Sequence, residues 1–211
     1  MKTNTHQTAA AFSRLDLVVV CFVACFLAVV LFVSLTNAPF FRKQVRMRCA
    51  ITLANIGERL QQYALDNENR YPWMVSTNLG GTMEYASPET AYKHFIALSN
   101  VLPSPKVLLC KYDERKPAKT WNSFGNSNLS YFVGIGSTPE EPGSVVSGDR
   151  NITWKTGESS RQFWWSKNLG LHGDCGNLLM SDGSVLSNVD SNRLNEVFNR
   201  PENLTNSLVV P

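Results

Sequence analysis

At 211 residues, with 43% hydrophobic and 18% charged side chains, the chain suits one globular domain plus an appendage and is too apolar to remain disordered. Its net charge of +3 is small and its basic residues are scattered, apart from Arg42, Lys43, Arg46 and Arg48, so no nucleic-acid partner is expected. No two of the five cysteines have CxxC spacing and the only histidines are His6, His94 and His172, which leaves a zinc site short of ligands.

The first element in chain order is apolar. From Leu17 to Phe41 there is no charged residue, and Leu17 to Leu35 alone would rise about 28 Å as a helix, close to the roughly 30 Å of bilayer hydrocarbon. A cleavable secretory signal has a shorter apolar core ending at small residues, whereas this stretch runs into Pro39, Phe40 and the basic cluster, as a membrane anchor does. Counted alone, the basic residues after the span favour a cytoplasmic C-terminal domain; they fall, however, on what reads as a continuation of the helix rather than on a loop. Cys21 and Cys25 lie within the span as small hydrophobes. Asp16 is the exception, because a carboxylate drawn to the bilayer centre costs up to ~2.5–3.5 kcal/mol and so stays among the headgroups or takes a partner.

Ala11-Phe12-Ser13-Arg14-Leu15-Asp16-Leu17, followed by Val18-Val19-Val20, resembles the processing site of type IV prepilins. That resemblance implies cleavage by a prepilin peptidase between Ala11 and Phe12, methylation of the new amine, and an assembly role for Asp16 against a neighbouring subunit's N-terminus. Ala11 stands where the family usually has Gly, and Asp16 where it has Glu.

Between Met47 and Leu65 the apolar residues Cys49, Ala50, Leu53, Ile56, Leu60, Tyr63 and Ala64 recur every three or four positions, which predicts an amphipathic helix. Asp66-Asn67-Glu68-Asn69-Arg70-Tyr71-Pro72 should end it. A second helix is expected with Ser87 as N-cap, Pro88 at its first position and Tyr92, Phe95 and Ile96 facing in. Val107 to Cys110 reads as a short buried strand. Residues 116–157, rich in Asn, Ser, Gly and Pro, read as loops around one strand at Tyr131 to Ile135. Asp182-Gly183 between two apolar runs predicts a hairpin with a type I′ turn, and a short helix capped by Ser191 should bury Leu194, Val197 and Phe198.

The stretches Cys49 to Gly57, Tyr63 to Asn67 and Tyr71-Pro72 resemble the helix end of bacterial pseudopilin-like proteins related to those of type II secretion, and Lys106 to Asp113 is similar to their short strand ending in a cysteine. His172, nine residues, then Asp182-Gly183 matches the C-terminal hairpin motif of that group. The similarity touches most of residues 11–66 and the stretches 106–135 and 168–198. It implies an α+β, pilin-like fold: a leader (1–11), the membrane half of a long helix (12–41), its amphipathic continuation (42–70) and a globular domain (71–211) with a small antiparallel sheet. The implied protein is a structural subunit in the inner membrane, its domain periplasmic or extracellular, with pilin-like subunits and prepilin peptidase as partners.

Outside the membrane an oxidising compartment would favour a disulfide, and Cys49 with Cys110 is the expected pair. Of Cys49, Cys110 and Cys175, one must stay free or pair between chains. Some secretion pseudopilins hold calcium near their C-terminal loops, which makes Asp174 and Asp182 candidate oxygen ligands. His172, Asp174 and Cys175 lie close in sequence, but no nucleophile motif accompanies them, and no enzyme is expected. Phe163-Trp164-Trp165 with Trp154 keeps a second class open, a membrane-tethered module that binds a glycan or protein through an exposed aromatic face.

Overall fold

The computed structural model describes residues 14–36, 39–157, 161–169 and 171–211, and the chain divides into two compact units, Met1–Arg42 and Lys43–Pro211. The expected cleavage site at Ala11 and Phe12 lies outside the described residues. In the first unit helix α1 (Arg14–Thr36) holds a 21-residue stretch, Arg14–Ser34, of mean hydropathy 3.2, long and apolar enough to cross a membrane. All of that stretch is exposed, with Asp16 in the first turn.

Helix α2 (Pro39–Asp66) buries Cys49, Ala50, Leu53, Ile56, Leu60 and Ala64 along one face, the stripe expected from the spacing. It ends where Glu68 and Asn69 both turn left-handed (φ 56) and the Asn69 amide bonds back to the Ala64 carbonyl at 2.8 Å.

The main sheet has five antiparallel strands in the order β6-β5-β2-β1-β7: β1 (Tyr131–Gly134), β2 (Val145–Asp149), β5 (Cys175–Met180), β6 (Val185–Asp190) and β7 (Leu208–Val209). A separate hairpin pairs β3 (Ile152–Thr156) with β4 (Arg161–Trp165). Alternation along the central strands splits the core. Tyr131, Val133, Val146 and Leu179 join Leu53, Ile56, Leu60 and Phe95, whereas Phe132, Leu178 and Met180 join Phe163, Trp165 and the inner residues of helix α4 (Ser191–Phe198). The sheet is thus covered on both faces. Two wholly buried asparagines complete its hydrogen bonding: Asn203 Oδ1 accepts from the Val145 amide and Asn206 Nδ2 donates to the Val145 carbonyl, each at 2.8 Å.

Several local expectations are corrected. Val107 to Cys110 is no strand: Pro105 opens a 3-10 turn (Pro105–Leu108) capped by Ser104, whose hydroxyl accepts from the Lys106 amide. The second helix is a 3-10 turn at Pro88–Thr90 followed by α3 (Ala91–Ile96), and Ser87 occupies the cap position without a side-chain capping bond. The hairpin loop is not type I′. Only Gly183 has positive φ (84); its amide bonds to the Met180 carbonyl while the Met180 amide bonds to that of Ser184, a type I turn closed by a glycine bulge. Helix α4 is capped one residue earlier than expected, by Asp190, whose carboxylate accepts from the Arg193 amide. The run 116–157 contributes β2 and β3 as well as the expected strand β1.

Candidate functional site: a buried thiol, imidazole and carboxylate cluster

Four side chains from four separate parts of Lys43–Pro211 converge. Cys49 comes from the buried face of α2, Cys110 from the loop after the 105–108 turn, Asp149 from the end of β2, and His172 from the bend before β5. Cys110 Sγ and Asp149 Oδ2 each lie 3.6 Å from His172 Nε2, and the donor atoms of Cys49, Cys110 and His172 are all within 4.8 Å of one another. The His172 and Asp149 side chains are wholly buried, as are both cysteines but for 2–3% of their surface. Tyr112 stands edge-on to the His172 ring at 6.1 Å, and Leu171 packs against the sulfurs.

A second buried network fixes these elements. The Cys110 amide donates to Ser130 Oγ, which donates to Asp113 Oδ2, and the same carboxylate takes two bonds from Arg150. Arg150 also donates to the Leu169 carbonyl, so the Cys110 loop, the end of β2 and the approach to His172 share one clamp.

Electrostatics couple the group. The Cys110 thiol is held below its usual range by the Cys49 thiol and by His172, while Cys49 is pushed up by Cys110 and by burial. Burial pushes the Asp149 carboxyl up to about 7, although the His172 imidazole and the Asn177 amides pull the other way. Asp149 Oδ2 accepts from Asn177 N at 2.7 Å and from Asn177 Nδ2 at 2.9 Å.

Among the residues singled out from sequence, Cys49 and Cys110 are together, but as free thiols, so the expected bridge is not formed in this structure. His172 joins them and does not sit at the hairpin turn. His172 precedes β5 and Asp182-Gly183 follows it, so the motif brackets one whole strand. Asp174 and Asp182 flank the six residues of β5, about 20 Å end to end, too far for one calcium ion. Asp174 instead lies 3.7 Å from Lys167 in the open, and Asp182 accepts from the Ser184 amide. The aromatic group divides too: Phe163 and Trp165 are buried, whereas Trp164 (40% exposed) and Trp154 (36%) stand on opposite faces of the β3–β4 hairpin. Asp149, Asp113 and Arg150 were not anticipated. Asp149 and Arg150 fall in the run that reads as loop, Asp113 just past the expected strand at Val107 to Cys110, and no spacing links the three to the cysteines.

No family model, curated protein or solved structure matches the chain. The chemistry therefore has to be read from the geometry. A cysteine–histidine–acid triad would place the acid on the ring nitrogen opposite the thiol; here Cys110 and Asp149 both face Nε2. With the sulfurs almost entirely enclosed, that arrangement resembles a set of ligands more than a nucleophile and its base.

Proposed function

We propose that the chain is a structural subunit, not an enzyme, of a pilin-like or type II secretion assembly. Helix α1 anchors it in the inner membrane and Lys43–Pro211 lies outside the cytoplasm. The observation that carries this reading is α1 itself, a 23-residue helix whose side chains from Leu17 to Val33 are apolar and exposed on every side, with Asp16 in its first turn. Such a surface needs lipid or like helices around it, and the acid at its start suits the contact between subunits that the Ala11-Phe12…Asp16 pattern implies. Prepilin peptidase would cut before Phe12 and methylate its amine. The competing reading, a glycan- or protein-binding module, gains no support from Trp154 and Trp164, because indoles on opposite faces of a hairpin offer no common platform.

Mass spectrometry of the membrane-extracted chain tests the proposal. The mature protein is expected to begin at a methylated Phe12, and Asp16→Ala to reduce cross-linking into multimers while the globular unit stays folded. A mature chain beginning at Met1, or cross-linking unaffected by Asp16→Ala, would refute it.

A further inference from the structure

We propose that Cys49, Cys110 and His172 form a structural site for a single zinc ion, with the buried Asp149 carboxylate beside the His172 ring nitrogen balancing its charge. The distances favour it. Zinc bonds of about 2.3 Å to sulfur and 2.0–2.1 Å to nitrogen, set at tetrahedral angles, separate the two donor atoms by roughly 3.5 Å. Cys110 Sγ and His172 Nε2 are 3.6 Å apart. Donors at that spacing surround one common point, whereas a disulfide would hold the two sulfurs at about 2.05 Å and leave the imidazole outside the bond.

Asp149 supplies the second observation. Its carboxylate is buried in full, Oδ2 points to the same imidazole nitrogen as Cys110, and Oδ1 receives no hydrogen bond among the described residues. A buried carboxylate with an unsatisfied oxygen is costly unless a cation faces it. Two thiolates and an imidazole are also the soft and intermediate donors that select zinc over calcium or magnesium. The near-complete enclosure of both sulfurs makes the site structural rather than catalytic. Sequence spacing hid it, since the three ligands span residues 49 to 172 and no two of them form a short motif. Both sulfurs would bind as thiolates, and the ion would tie α2, the Cys110 loop and the bend before β5 together. All three donors lie within Lys43–Pro211, so the assignment does not depend on how the chain is processed or assembled.

The test uses the full-length chain purified in detergent without chelator. Elemental analysis is expected to find one zinc per chain, and mass mapping after thiol blocking to find no bridge between Cys49 and Cys110. After the zinc is removed, Co2+ should titrate to one equivalent, giving the strong visible absorption of a tetrahedral ion and a thiolate charge-transfer band. Cys110→Ser should weaken that band, and Asp149→Asn should lower affinity about 10–100-fold. A metal-free protein carrying a Cys49–Cys110 disulfide would overturn the assignment, as would a pale octahedral cobalt spectrum. Both of those outcomes are read on the unmutated chain, so a variant that fails to fold does not blunt the test.

Discussion

Arg150 grips Asp113 with two parallel bonds, Nε to Oδ2 at 2.7 Å and Nη2 to Oδ1 at 2.8 Å, and neither side chain has appreciable access to solvent. The Asp113 carboxyl is held below its usual range by Arg150 and Ser130, against the opposing effect of burial. Because the pair also anchors the Cys110 loop and the Leu169 carbonyl, losing one partner strands a buried charge and loosens three segments at once.

Asp113→Ala should therefore cost roughly 3–5 kcal/mol, the range for breaking a buried ion pair from one side. Glu68→Ala, which removes the exposed partner of Arg70, should cost less than about 1 kcal/mol. Chemical denaturation of the two variants beside the parent chain checks this. Equal losses in both would show that the Asp113–Arg150 clamp adds nothing beyond a surface pair.

His94 supplies a pH dependence. Its ring is 2% exposed, Thr82 Oγ1 lies 2.8 Å from Nδ1, and burial pushes its pKa down to about 4 against an opposing pull from the Tyr85 backbone. In the unfolded chain the imidazole titrates near 6.5, so between pH 6.5 and 4 the unfolded state binds the extra proton and stability falls as pH falls. The full effect is roughly 3 kcal/mol by pH 4, and above pH 6.5 it vanishes. Unfolding free energies measured from pH 4 to 7 should show this slope in the parent chain and its loss in His94→Gln; parallel curves would sink the assignment.

The two neighbouring tryptophans of β4 should behave differently. Trp165 is 3% exposed and its ring lies where a Cβ on Gly176 would sit, 2.5 Å from the nearest ring atom, so Trp165→Ala should cost about 3–5 kcal/mol. Trp164 is 40% exposed, and Trp164→Ala should cost about 1 kcal/mol or less. Melting curves for the two variants that coincide would contradict this packing.

How far these features could be read in advance depended on how many faces each element buries. Helix α2 has one buried stripe, and its face was legible residue by residue. Strand β2 is covered on both sides and carries Ser147, Gly148 and Asp149 inside, so it shows neither alternation nor an apolar run and reads as loop. Val107 to Cys110 reads as a strand because Val107, Leu108 and Leu109 are apolar, while Pro105 and Ser104 set a turn over Pro105–Leu108. At the site, the proximity of Cys49 and Cys110 could be expected. Their partners could not, because His172 looked like a mark of the hairpin and Asp149 like part of a polar linker.

Cys49 is the first buried residue of α2 among those whose side chains are described. A pull on the described part of α2 would thus meet the folded body at the sulfur cluster. There the pull would divide among the Cys110 loop, the end of β2 and the bend before β5, three anchors that the Asp113–Arg150 clamp already holds in common. Force shared in parallel must break several contacts together, whereas a helix peeled from its sheet gives way one side chain at a time. Among the described residues, the cluster stands where the chain under tension would begin to tear.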